Sequence, residues 1–127
     1  MELKDYFANV IGFGVLATAD AEGQVNLAVY ARPHVLEDGT LAMIMRDRLS
    51  HHNLQSNPHA AYLFREEGAG YRGKRLHLTK IGEEKDTERI HQLKRRHPFL
   101  VKDAERGPLF LVIFQVDRVL PLIGPGN

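Results

Sequence analysis

Residues 41–64 constrain the fold of this chain more than any other stretch. An apolar run (Leu41, Ala42, Met43, Ile44, Met45) meets a polar knot over residues 46–54. Asn57 and Pro58 then lead into a second apolar run of Ala60, Ala61, Tyr62, Leu63 and Phe64. Short apolar runs bounded by turn formers read as strands. The knot between them reads as a loop followed by a short helix over residues 51–57, with Ser50 as its N-cap and Pro58 blocking its continuation. A helix N-terminus offers unpaired N–H groups and a partial positive charge, and Arg46 and Arg48 lie within reach of it. The combination suits a phosphate. A surface loop with an ordinary N-cap fits the same residues, and at this stage the two readings stand side by side.

The chain has 127 residues, 43% hydrophobic and 26% charged, which is enough for a single globular domain over residues 1–127 with its own core. Seventeen Lys and Arg against sixteen Asp and Glu leave a formal charge of +1, so no global field draws the chain to nucleic acid or to an anionic membrane. Any anion site must be local. Without cysteine there is no disulfide framework, thiol nucleophile or thiolate zinc site, as suits a reducing compartment. The apolar residues 10–19 include Gly12 and Gly14 and are too few to span a bilayer, and acidic Glu2 and Asp5 precede them, unlike a basic leader. The expectation is a cytoplasmic protein that starts at Met1.

Leu3, Tyr6, Phe7, Val10 and Ile11 make the stripe of an amphipathic helix over residues 2–11, with Gly12 as its stop. Strands are expected over residues 15–19 and 24–31. In the second, Val25, Leu27 and Val29 share one face and Asn26, Ala28 and Tyr30 the other. Pro33 belongs at an edge or bulge, with short strands following over residues 34–37 and 40–45. A long strand over residues 74–83, a helix over residues 87–97 capped by Asp86 and ended by Pro98, a loop over residues 99–108 and a last strand over residues 109–119 complete the pattern. Both faces of that last strand are apolar, so it must be covered twice, by a helix or by another subunit; the subunit is the preferred cover. The tail with Pro121, Gly124, Pro125 and Gly126 is expected to be irregular. Strands in hairpin order with few helices indicate a mainly β protein, an antiparallel β-barrel with flanking helices.

Residues 68–73 spell G-x-G-x-x-G, but a strand and not a helix is expected after them, so they read as a hairpin connection. The seven histidines show no metal-ligand spacing, and no metal is expected. His51 is either a neighbour of a bound phosphate or ring or a solvated polar residue. Lys94, Arg95 and Arg96 read as a solvated helix end that complements the dipole. Asn26, Ala28, Tyr30, Met43 and Met45 could line a barrel-mouth pocket for a planar heteroaromatic ring, although the methionines read first as core filler. No side chain is assigned as nucleophile or general base.

The order of these elements, with Gly14-Val15-Leu16-Ala17-Thr18, the loop of residues 46–50, Asn53-Leu54-x-x-Asn57-Pro58-x-Ala60 and Gly73-x-Arg75-Leu76, resembles the pyridoxamine 5′-phosphate oxidase-like family of FMN-binding split barrels over nearly the whole chain. The resemblance implies a six- to seven-stranded antiparallel split barrel. It also implies a homodimer with one FMN per subunit in a cleft at the subunit interface, acting as an oxidoreductase or electron carrier on a small-molecule redox partner. It implies Arg46, Arg48, Ser50, His51 and Asn53 around the phosphate, and Asn26, Tyr30 and Met45 near the ring. Relatives with a basic residue at the positions of Leu49 or Ser50 differ here, so Arg46 or Arg48 takes that role. The longer C-terminal arrangement of true pyridoxamine-phosphate oxidases is not evident, so that particular activity is not implied. A non-catalytic module of the same fold that holds haem or a deazaflavin is the alternative.

Overall fold

The structure, a computed structural model, describes residues 2–94 and 107–124. Helix α1 (Leu3–Asn9) buries Tyr6 and Phe7, two members of the predicted stripe. It is shorter than residues 2–11, because Val10 is already extended and Gly12 enters a strand, pairing with Glu66, instead of ending the helix. The chain continues through β1 (Gly12–Ala19), β2 (Val25–Val29), β3 (His34–Val35), β4 (Leu41–Arg46), α2 (Leu49–Ser56), β5 (His59–Glu66), β6 (Gly73–Lys85), α3 (Glu88–Lys94) and β7 (Leu109–Pro121).

All strand pairs are antiparallel, in the order β2-β1-β5-β6-β7-β4-β3. The two edges, β2 and β3, are consecutive in sequence and joined only by residues 30–33. In a flat sheet, six gaps of about 4.8 Å would hold the outermost strands about 29 Å apart. Five Cα steps of about 3.8 Å reach no more than about 19 Å. The sheet therefore rolls, and the barrel stays split where β2 and β3 share no ladder. The split-barrel fold class expected from the sequence is the one observed.

Inside the roll lie Leu16, Leu41, Met43, Met45, Tyr62, Phe64, Leu76, Leu78, Val112 and Phe114, all buried, with Tyr6 and Phe7 closing one end. Phe7 meets Phe64 edge to face at 5.3 Å and Tyr6 meets it at 5.9 Å, the geometry that aromatic quadrupoles favour. Strand β6 runs longer than residues 74–83 because register shifts at His77/Leu78 and Lys80/Gly82 bend it round the barrel without ending its pairing with β7. Of the G-x-G-x-x-G stretch, residues 68–72 lie in the β5–β6 connection and Gly73 opens strand β6.

The second apolar face of β7 is covered within the chain. Leu109 and Leu111 pack with Ala42 of β4 and Ile90 of α3, so a helix and not a second subunit supplies this cover. Asp86 makes this possible in an unexpected way. It adopts a left-handed conformation (φ 51°) and its carboxylate accepts the Leu109 N–H at 2.9 Å, turning the chain so that α3 lies back on the sheet. It is therefore a turn residue instead of the expected N-cap, and α3 begins at Glu88. Arg95, Arg96, His97, Pro98, residues 99–106, Pro125 and Gly126, for which a helix end, a loop and a tail were expected, lie outside the described residues.

Gly14 holds the roll closed by having no side chain. The Tyr62 hydroxyl donates to the carbonyls of Tyr30 and Ala31 at 3.2 and 3.1 Å, pinning the link between the barrel edges, and a Cβ on Gly14 would lie 1.9 Å from that hydroxyl. Gly14→Ala is expected to destabilise the fold by roughly 1–3 kcal/mol, as overpacking does, read as a lower urea midpoint. Gly82→Ala, where an added Cβ meets nothing within 4 Å, should shift it much less.

Candidate functional site

A cleft of about 340 Å³ opens between β2, the β2–β3 link, the end of β4 and the first turn of α2. Period-two alternation along β2 turns Asn26 and Ala28, and next Tyr30, toward it, while Val25, Leu27 and Val29 are exposed on the outer face, Val29 also bordering the cleft. From the other side come Met45, Arg46, Arg48 and Ser50. Six of the eight residues expected at the site thus meet in one cavity. Ala31, Ile44 and Leu49 join them. No periodicity in the sequence marks these three, because the link, β4 and α2 become neighbours only when the sheet rolls.

The helix start differs from the expected one. Helix α2 begins at Leu49 with Arg48 in the N-cap position and no side-chain cap, while Ser50 sits inside the first turn, 4% exposed. The first intrahelical bond is donated by His52 to the Arg48 carbonyl, so the N–H groups of Leu49, Ser50 and His51 precede the helical ladder. Ser50 instead hydrogen-bonds Tyr30 across the cleft. Burial raises the Tyr30 phenol above its ordinary pKa, and the Ser50 hydrogen bond and the Arg48 charge partly offset this. Arg46 donates to the Gly107 carbonyl at 3.0 Å, which orients its guanidinium at the end of β4. Among the described residues no carboxylate lines the cleft.

His51 and Asn53 turn away from the cleft into the body of the protein. Asn53 donates to Thr18 Oγ1 at 3.1 Å, both buried, tying α2 to β1. His51 is 6% exposed and stacks on Phe110 at 3.8 Å. Its Nδ1 lies 2.9 Å from Asp47 and its Nε2 lies 3.2 Å from Glu83. It is thus neither a lining residue of the cleft nor a solvated one. Met43 likewise points into the core, whereas Met45 serves both. The Asn53-Leu54-x-x-Asn57-Pro58 element is a fastening. Leu54 is buried, Asn57 donates to the Asp20 carbonyl at 3.3 Å, and its own side-chain oxygen accepts the His59 N–H at 3.0 Å.

Glu83 is the far anchor of α2. Partial burial pushes its carboxyl up, but hydrogen bonds from Lys80, Gln55 and His51 outweigh that and bring the pKa down to about 2. A carboxylate with a folded-state pKa below its unfolded value of 4.5 contributes stability in full above pH 4.5 and loses it as the pH falls toward about 2. Glu83→Gln is therefore expected to lower stability at neutral pH and to flatten its decline below pH 4.5, read from thermal midpoints across that range.

No protein-family model matches the sequence, and no curated protein is similar enough to count as a relative. Solved structures do match. An FMN-binding protein from Syntrophomonas wolfei subsp. wolfei superposes with a TM-score of 0.75 at 18% identity, covering 98% of this chain and 86% of that one. HutZ, the haem storage protein from Vibrio cholerae, superposes at 0.72 with 16% identity and 94% and 92% coverage. A candidate pyridoxamine 5′-phosphate oxidase from Lactobacillus delbrueckii superposes at 0.67 with 17% identity and 94% and 89% coverage. A rolled seven-stranded antiparallel sheet, split between consecutive edge strands and flanked by short helices, gives this chain the fold of the pyridoxamine 5′-phosphate oxidase-like split barrels.

Proposed function

We propose that the chain is a homodimeric, cytoplasmic FMN-binding protein that works as an oxidoreductase or electron carrier. The observation that carries this reading is the cleft in which Arg46, Arg48 and the N-terminal amides of α2 face a wall of Asn26, Ala28 and Tyr30, with no carboxylate among its described lining residues. Arginine forks pair with phosphate oxygens in two parallel hydrogen bonds, and helix N–H groups add donors and a favourable dipole. Ser50 supplies a hydroxyl at the same turn. The phosphate of FMN would rest there, with the ring against the β2 wall, where Ala28 and Ala31 leave room, Tyr30 gives an aromatic face and Asn26 an amide for the polar edge. Bound flavin would supply the hydride or electron transfer, and the protein's part is to hold it and tune it by hydrogen bonds. The FMN-binding neighbour supports this reading; HutZ keeps haem as the competing ligand for the same fold.

The dimer rests on the outer face of the rolled sheet. Val25, Leu27 and Val29 are 80%, 70% and 67% exposed on the edge strand β2. The registers set Ala17 and Val15 beside Leu27 and Val29, then Ala61 and Leu63 beyond them. Protruding aliphatic side chains next to an alanine trough form a surface that can pack against a copy of itself about a two-fold axis. A second copy there would also shield the exposed β2 edge.

Three outcomes are expected. The purified chain should show the twin absorption bands of oxidised flavin, whereas a Soret band would mark haem and overturn the FMN assignment. Replacing Arg46 and Arg48 together by Ala should weaken FMN at least about tenfold, since a charge-assisted hydrogen bond is worth about 1.5–3 kcal/mol, and leave riboflavin within about twofold. Equal losses for both ligands would contradict the phosphate site. Leu27→Asp should convert a dimer into a folded monomer by light scattering and circular dichroism; a mass unchanged from the parent would place the interface elsewhere.

A further inference from the structure

The link that closes the barrel also lines a second cavity, which shares no residue with the flavin cleft. Lys4 and Phe7 of α1 face Arg32, Pro33, His34 and Val35 across about 310 Å³. Its basic side chains come from three separate places: the helix, the link and β3. Among the described residues no aspartate or glutamate lines it.

Arg32 is half-buried, and its Nη1 donates to the Val10 carbonyl at 3.0 Å, which fixes the guanidinium at the cavity wall. Among the described residues neither Arg32 nor Lys4 is ion-paired with a carboxylate. Removing part of a guanidinium's hydration without a counter-charge is unfavourable, and structures normally offset it with a partner. Here the whole chain carries a formal charge of only +1, so two cations and a buried imidazole converging on one cavity are a local concentration and not part of a basic surface. The remaining walls, Phe7, Pro33 and Val35, are apolar and suit a compact hydrocarbon body.

We infer that this cavity is a second ligand site, for a small organic oxyanion: a carboxylate or phosphate monoester on a compact apolar body, its charged end held by Arg32 and Lys4. A planar oxyanion accepts two parallel hydrogen bonds from the guanidinium fork while the ammonium adds a point charge. The site does not depend on flavin. Its ligand would nevertheless press on residues 32–33, which directly follow Tyr30 and Ala31 of the flavin cleft, so the two cavities share one short, Tyr62-pinned segment of backbone.

The test uses sodium benzoate as probe. The isotope-labelled chain, as purified, is titrated at constant ionic strength and followed by heteronuclear NMR. Saturable shifts are expected in the backbone signals of Ala8, Arg32, His34 and Val35, with benzoate affinity reduced about tenfold in Arg32→Met and about threefold in Lys4→Met. FMN affinity of Lys4→Met, measured separately, should equal the parent's, so failure of this site and failure of the flavin reading give different results. Benzyl alcohol binding as tightly as benzoate would overturn the inference, as would shifts that do not saturate or that cluster at residues 46–50. If Arg32→Met does not fold because the Val10 carbonyl loses its donor, Lys4→Met decides: this exposed helix residue can be replaced without unfolding, and undiminished benzoate binding in it refutes the site.

Discussion

A sheet whose two edge strands follow one another in the chain, separated by residues 30–33, has to roll, and the features that matter most in this protein follow from that constraint. Rolling brings β2 opposite β4 and α2, elements that are not hydrogen-bonded neighbours in the sheet, and so creates a cleft where a flat sheet would have two remote edges. The constraint is enforced by the Tyr62 hydroxyl on the Tyr30 and Ala31 carbonyls, and it is allowed by the absence of a side chain at Gly14. Packing then consolidates the roll, with Tyr6, Phe7, Tyr62 and Phe64 meeting at one end of the barrel.

The cleft needs its helix held still, and α2 is too short for intrinsic helix stability to hold it. Tertiary fastening does so at several points. Asn53 grips Thr18 on β1, Leu54 enters the core, and Asn57 reaches the β1–β2 turn. His51 lies between Asp47 and Glu83 and against the Phe110 ring, and Lys80 completes the ion pair with Glu83 at 2.8 Å. Residues of one helix therefore divide between two tasks. Leu49 and Ser50 face the cleft, while His51, Asn53 and Leu54 fix the position from which they do so. Arg46 and Arg48 bring positive charge to the start of α2, while Asp47 and Glu83 both engage His51.

How far the sequence could be read depended on whether the signal was local. Alternation placed Asn26, Ala28 and Tyr30 on one face, and proximity along the chain grouped Arg46, Arg48 and Ser50, so most of the cleft was legible from residues 24–50. The Ser50 cap was misplaced because capping preference ranks residue types and takes no account of where the strand releases the chain. Here β4 ends at Arg46 and the helix starts directly at Leu49. His51 stood in the right turn, but its direction was invisible, since Glu83 and Phe110 reach it from strands distant in sequence. The helical cover on β7 is hidden from the sequence for the same reason. Nothing local announces that Asp86 will take a left-handed turn and lay α3 over Leu109 and Leu111.

The sequence by itself determined the inventory: antiparallel strands in hairpin order, a helix bounded by Pro58, and a near-neutral molecule in which any anion site must be local. Those properties follow from backbone preference and side-chain periodicity, which act over a few residues. Tertiary structure alone decided which arginines face a cavity, which histidine is buried between carboxylates, and that Lys4 and Arg32 meet across a second cavity. Such encounters depend on how the rolled sheet brings remote segments together, and a separation of tens of residues carries no periodic trace of it.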